Sequence, residues 1–311
     1  MSSQVQVASP DTFAETAMYL QSGTETVFAV RTSPVTSRAD IGVVLAHSGA
    51  NNFSAHRNGV WTSITRRLAR EGIPSLRFDF AGTGESSGKF VLELAGQPVT
   101  DAAAAMDALR ALGCRRLLVV GSCFGAVPSV VAGAARGDIA GMILLSPPLV
   151  PPGGGRMATL RERIGEVVNL PTLRIVATNR EYRRWYVARH ASLAKTKATI
   201  KLSRLATHTP PSSTPEPAAG TSPGRGLLLE SELARLITNG SHVEVVFGTR
   251  DGNLARVEGD PDASRAIRLL QGGRPAGLAW TVFDGPVHGL EDAAIQEQVI
   301  QLVVRRACDL I

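Results

Sequence analysis

With 311 residues, 44% of them hydrophobic, and a mean hydropathy of +0.06, the chain can bury a sizeable core within one α/β domain. Its few cysteines (Cys114, Cys123 and Cys308) exclude a disulfide framework or a cysteine-built metal site. No run approaches the ~18 apolar residues of a membrane span. Residues 1–16 are polar and lack a basic-then-apolar leader pattern. A soluble, reduced, cytoplasmic setting is therefore expected. The net charge of +6 is uneven, with 13 Lys/Arg against 4 Asp/Glu in residues 151–226 and 20 against 23 elsewhere. That basic segment reads either as a solvated helical surface or as a docking face for an anionic partner, such as an acyl carrier protein or a CoA-type phosphate.

In chain order, a hairpin is predicted near residues 18–30, turning at Ser22-Gly23. Strand-like runs recur at 26–31, 41–46, 74–80, 116–121, 140–146, 242–248 and 279–284. Several are apolar without alternation, as expected where both faces of a sheet are covered. Helix-period stretches lie between them at 58–71, 99–112, 124–136, 227–238 and 291–306. This alternation predicts an α/β fold with a mostly parallel, eight-stranded sheet and helices on both faces. Residues 147–226 are far too long for an αβ connection. They open with Pro147-Pro148, continue through helix-compatible sequence at 157–168 and 180–193, and close in a Pro/Ser/Thr/Gly-rich linker at 208–226. The chain is thus divided into a core, 1–146 with 227–311, and a helical lid insertion, 147–226, over the C-terminal edge of the sheet.

Between one predicted strand and the next helix stands Gly121-Ser122-Cys123-Phe124-Gly125, the sequence form of a nucleophile elbow. Only Cys123 has glycine two positions away on both sides. Centring the turn on Ser122 would place Val120 and Phe124 there. The expected nucleophile is therefore a thiol, and its place at a helix N-terminus favours the thiolate. Cys114 and Cys308 lack the glycine flanks and read as packing residues. A base must follow later in the chain. His190 and His208 fall in the insertion and His242 opens a strand, whereas His288 sits in a loop just after the last strand. The candidate acid is Asp251, in Gly248-Thr249-Arg250-Asp251-Gly252, whose role would be to fix the His288 tautomer. Asp284 and Glu291 are fallback acids. The N–H of Phe124, with that of Ser48 or Gly49, would form the oxyanion hole. His47, at a strand end, is expected to bond to backbone. With Asn51, His56 and Arg57 it is also a candidate to line the substrate pocket. Gly82-Thr83-Gly84 has the wrong spacing for a dinucleotide loop. Arg183-Arg184-Trp185-Tyr186 belongs to no nucleic-acid motif. No cofactor, metal, nucleic acid or membrane partner is expected.

Together, Leu45 to Gly49, the turn from Arg77 to Ser86, the elbow, Gly248 to Asp251 and Val287-His288-Gly289 resemble the α/β-hydrolases of the serine-aminopeptidase-like branch. The resemblance covers roughly 43–146 and 243–289. Within it, 51–86 is similar to hydrolases associated with exosortase systems, some of which carry Cys at the elbow. Cysteine elbows also occur in dienelactone hydrolases and in Dieckmann-type cyclases. In those cyclases the acid follows the sixth strand, whereas here no carboxylate lies between Leu145 and Arg161. The resemblance implies the α/β-hydrolase fold. A thiol elbow suits thioesters, because one thioester replaces another, and the acyl-Cys can then pass to water, an amine, an alcohol or an internal carbanion. The expected activity is therefore Cys-dependent processing of an acyl thioester or ester, as a hydrolase, acyltransferase or cyclase. The acyl group could come from a carrier protein of secondary metabolism docked on the basic insertion. Two alternatives stand: a carrier-independent ester or lactone hydrolase of dienelactone type, and a catalytically retired small-molecule binder.

Overall fold

The computed structural model describes residues 5–9, 13–37, 40–49, 52–91, 96–150, 227–273 and 277–311. By its contacts the chain divides into two units, Met1–Pro151 with Arg225–Ile311, and Pro152–Gly224. The lid helices, the linker and Asn51 lie outside the described residues.

Nine strands form one sheet: β1 Val5–Ser9, β2 Phe13–Ser22, β3 Glu25–Pro34, β4 Ile41–Ala46, β5 Ser75–Phe78, β6 Arg116–Ser122, β7 Ile139–Leu145, β8 His242–Gly248 and β9 Leu278–Phe283. Their order is β1-β2-β3-β5-β4-β6-β7-β8-β9. The expected eight strands are present, and β1 is added at the antiparallel edge. From β5 onward every pairing is parallel. Both predicted arms of the hairpin form, with Gly23 at φ 59° in the two-residue turn between β2 and β3.

Burial explains why the central strands lack alternation. All six residues of β4 are buried, and successive side chains enter opposite layers. Val44 and Ala46 join one core with Met106, Leu109, Val130, Leu236 and Ile267. Ile41, Val43 and Leu45 join the other with Trp61, Ile64, Leu68, Val299 and Val303. The first layer is covered by α2 (Gln97–Ala111), α3 (Ala126–Ala134), α4 (Glu230–Thr238) and α6 (Pro261–Gln271). The second is covered by α1 (Val60–Arg70) and α7 (Ala293–Asp309). A short helix, α5, spans Gly252–Glu258.

A buried ion pair ties β8 to the last helix. Glu244, in the sheet interior, accepts from Arg306 Nε at 2.7 Å and from Thr281 Oγ1 at 2.7 Å. Burial alone would raise the Glu244 carboxyl. The nearby His242, 3.8 Å away, with hydrogen bonds from Arg306 and Thr281 and the charge of Arg306, outweighs it and holds the pKa at about 2.

The sheet order reverses between β5 and β6, on either side of β4. In open α/β sheets, ligands bind beyond the carboxyl ends of the strands at such a switch point. The loops that leave β4 and β6 are those that carry His47–Gly49 and Cys123. The insertion leaves the core at the end of β7 and returns before α4. Its two ends meet there, with Leu228 N–H donating to Leu149 C=O at 2.7 Å.

Candidate active site

Cys123 closes β6 and opens a single 3-10 turn, Cys123–Gly125, that runs directly into α3. Its φ of 46° lies in the left-handed region that L-residues rarely occupy. Strain of this kind persists only where the surroundings enforce it, and here the flanking glycines do so through space. A Cβ on Gly121 would stand 2.5 Å from Ala126 Cα, and one on Gly125 would stand 2.3 Å from the His47 carbonyl oxygen. Neither contact can relax without moving main chain. Gly125→Ala is therefore expected to destabilise the fold by about 3 kcal/mol, the upper end for overpacking. A urea midpoint unchanged from the parent would refute that fit.

His288 meets the thiol. Its Nε2 lies 3.0 Å from Cys123 Sγ, across 165 positions of sequence. The loop that delivers it is laced to β8. A Cβ on Gly248 would lie 1.9 Å from the Gly285 carbonyl oxygen. Gly285 N–H donates to Thr249 Oγ1 at 3.0 Å, and Thr249 N–H to the Phe283 carbonyl at 2.9 Å.

Asp251 is 4% exposed and completes this lacing. Its Oδ1 accepts from the main-chain N–H groups of Val287 (3.0 Å) and His288 (2.9 Å), and its Oδ2 from that of Gly248 (2.8 Å). These bonds clamp the backbone that carries the imidazole, whereas the sequence suggests a grip on the ring. The fallback acids are engaged elsewhere: Asp284 accepts from Thr249 Oγ1 at 3.2 Å, and Glu291 pairs with Arg57 at 2.8 Å.

The loop after β4 supplies the opposite wall. A Cβ on Gly49 would sit 3.3 Å from Phe124 Cβ, so the two segments proposed for the oxyanion hole are in contact. Gly49 N–H itself donates to His47 Nδ1 at 3.2 Å, and Ser48 Oγ accepts from Asn52 Nδ2 at 2.5 Å. His47 is wholly buried and backbone-bonded, as its place at a strand end predicts. Thr83 Oγ1, which donates to the Phe80 carbonyl at 2.7 Å, lies 3.3 Å from His47 Nε2. Phe80 N–H also donates to His47 Nε2 at 3.3 Å, so both ring nitrogens face main-chain donors. Burial, with a nearby His56, lowers the His47 pKa to about 3. Buried, neutral and bonded to main chain at both ring nitrogens, His47 is a structural strut, and a pKa this low makes it a poor base.

His56 and Arg57 lie beside the His288 loop. Asn58 Nδ2 donates to the Leu290 carbonyl at 3.3 Å, and Arg57 reaches Glu291. His56 is 3% exposed, and its Nδ1 accepts from Arg57 N–H at 2.8 Å. Burial, then the charges of Arg57 and His288, bring its pKa to about 4. The segment is held from below by Asp79, which accepts from the main-chain N–H groups of Ser54 and Glu85. Gly84, at φ 50°, has no room for a Cβ against that carboxylate. The Gly82-Thr83-Gly84 turn is thus structural.

Sequence reasoning missed α5 and α6. The signal for α6 was present: Asp260 caps it by accepting from Asp262 N–H and Ala263 N–H, each at 3.0 Å, with Pro261 at its first position. Cys114 is buried as expected. Its Sγ would lie 2.8 Å from a Cβ on Gly42. Among the described residues no group of three or more His, Cys, Asp or Glu could hold a metal ion, and no helix is long and apolar enough to cross a membrane.

Solved structures share this architecture at low sequence identity. Proline iminopeptidase of Mycobacterium smegmatis superposes with a TM-score of 0.52 at 16% identity, over 94% of this chain and 98% of that one. Acetyl xylan esterase from Paenibacillus sp. R4 gives 0.55 at 12%, over 98% and 88%. An esterase of Pyrococcus furiosus gives 0.52 at 14%, over 98% and 89%. A search of curated proteins finds no match in sequence. The alpha/beta hydrolase family profile matches residues 43–294, most of the chain. With an elbow, a late histidine and a switch-point site on the expected sheet, the chain belongs to the alpha/beta hydrolase family, whose fold points to hydrolase activity.

Proposed function

We propose that the protein processes an acyl thioester or ester through a covalent acyl-Cys123 intermediate. The observation that carries this reading is the 3.0 Å approach of His288 Nε2 to the sulfur of a residue held at left-handed φ. His288 takes the thiol proton as Sγ bonds to the substrate carbonyl carbon. The carbonyl electrons move onto oxygen, where the N–H groups of Phe124 and Ser48 receive them, that of Gly49 being taken by His47 Nδ1. The carbonyl re-forms, the C–S or C–O bond to the leaving group breaks, and His288 returns its proton to the departing atom. Water or another acceptor, deprotonated by His288, then releases the acyl group. Asp251 holds the His288 loop in place throughout. The donor in this proposal is a thioester on a carrier protein or CoA, with the basic insertion as its docking segment. The charge of residues 151–226 supports that element.

Intact-mass measurement after brief exposure to a short-chain acyl thioester tests the proposal. One acyl increment is expected, mapped by peptide digestion to Cys123 and missing from Cys123→Ala. Equal turnover by Cys123→Ala, with no adduct on the parent, would overturn it. A carrier-independent ester or lactone hydrolase would show the same adduct from a simple aryl ester and gain nothing from a carrier.

A further inference from the structure

Two buried N–H donors, one of them in the turn that meets the His288 loop, have no acceptor. His56 accepts at Nδ1 from Arg57 N–H, so in its neutral form the proton resides on Nε2. That Nε2 is buried and makes no hydrogen bond. Trp61, wholly buried on α1, has an Nε1–H in the same condition. The two rings are neighbours, with centroids 4.5 Å apart and planes tilted by 45°. Buried donors in native proteins are nearly always satisfied, so a neighbouring pair of orphans calls for an explanation.

The backbone adds a second, independent observation. His56 is held at φ 59° and ψ 175°, a region essentially reserved for glycine. Gly would occupy this turn more easily, yet it carries an imidazole. The turn is fixed from several sides: His56 N–H donates to the Phe53 carbonyl, Trp61 N–H to the Ala55 carbonyl, and Asn58 and Arg57 reach the His288 loop. Its charge environment includes His288 itself, along with Arg57 and His47.

We propose that His56 and Trp61 are substrate-binding residues whose Nε2–H and Nε1–H together receive one acceptor oxygen of the acyl group. The preferred substrates are then acyl groups bearing a carbonyl or carboxylate oxygen near the reacting carbonyl, and plain hydrocarbon chains are poor ones. A site built to hydrogen-bond a substrate group discriminates strongly against the analogue that lacks it, because its own donors stay unpaired. A neutral donor pair suits this task, since it binds an oxygen without adding a charge beside His288. The inference rests on the acyl-Cys123 reading.

The test uses N-acetylcysteamine thioesters of pentanoate, 3-oxopentanoate, 4-oxopentanoate and glutarate with the full chain. The parent should process at least one of the oxygen-bearing probes with a kcat/KM about ten-fold or more above that of pentanoyl. In Trp61→Phe, which keeps the ring and removes the N–H, and in His56→Gly, which suits the turn and removes the imidazole, that ratio should fall towards one. A ratio near one in the parent, or one unchanged in both variants, would overturn the inference. Pentanoyl labelling of Cys123 by intact mass separates the two claims: with no adduct from any probe the acyl-Cys reading itself fails, whereas an adduct without discrimination removes only the role of His56 and Trp61.

Discussion

His288→Gln is expected to lower kcat/KM for an acyl thioester by about 10³-fold, and adding Cys123→Ala to it should lower the rate no further. At about 1.4 kcal/mol per factor of ten, that loss corresponds to about 4 kcal/mol of transition-state stabilisation. In the proposed reaction the two side chains share one proton across their 3.0 Å contact, so removing either disables the same step. Groups that act as a unit are grossly non-additive. Losses that multiplied in the double variant would show that the two act separately. Asp251→Ala should behave differently from His288→Gln. Its carboxylate accepts three main-chain N–H groups, two of them in the His288 loop, so its loss should reduce thermal stability as well as rate. His288→Gln should leave the melting temperature close to that of the parent. Comparing the two by calorimetry separates a carboxylate that holds the loop from one that acts on the ring alone.

Acid should unfold the protein well above the pH at which its surface carboxylates titrate. His47 and His56 have folded pKa values of about 3 and about 4, below the ordinary histidine value of 6.5. Between pH 6.5 and those values, the unfolded chain takes up protons that the folded one refuses. Stability therefore falls as pH falls, by about 1.4 kcal/mol per pH unit for each fully contributing histidine. Glu244 acts in the same direction at lower pH. Its folded pKa of about 2 is depressed, so its contribution is present above the usual carboxylate pKa near 4.5 and is lost as pH drops towards 2. Urea midpoints at pH 7, 6 and 5 should decline, and the decline should be shallower in His56→Asn. A midpoint that stays flat from pH 7 to 5 would contradict the buried, neutral state assigned to both imidazoles.

Much of the site was legible because its signals are local or ordered along the chain. The paired glycines around Cys123 announced the turn, and the structure shows why, since both positions face main chain closer than a Cβ permits. His288 could be chosen over His190, His208 and His242 because only it follows the last strand within loop distance. The burial of β4, β6 and β7 was readable from their apolar runs. What the sequence concealed lies in contacts between distant segments. Nothing local says that the Asp251 carboxylate will face the Val287 and His288 amides rather than the imidazole, because that depends on how the Gly248 and Gly285 backbones meet. The polar environment of His56 was equally hidden, since a short turn before a helix gives no warning of a buried, glycine-like backbone. The helix at Pro261 was missed although Asp260-Pro261 is a capping signature, because attention to apolar period passed over a short amphipathic segment.

The meeting of Leu149 with Leu228 has a consequence for how this enzyme can change. The stem of a long excursion is already joined at its base, so the sheet does not sense how much polypeptide loops out beyond it. Loop-closure entropy grows only logarithmically with length. Replacement, trimming or duplication of the excursion is therefore nearly neutral for the scaffold, while the sulfur and imidazole remain bound to the rigid part. The insertion and the Cys123–His288 pair can thus drift on separate evolutionary clocks.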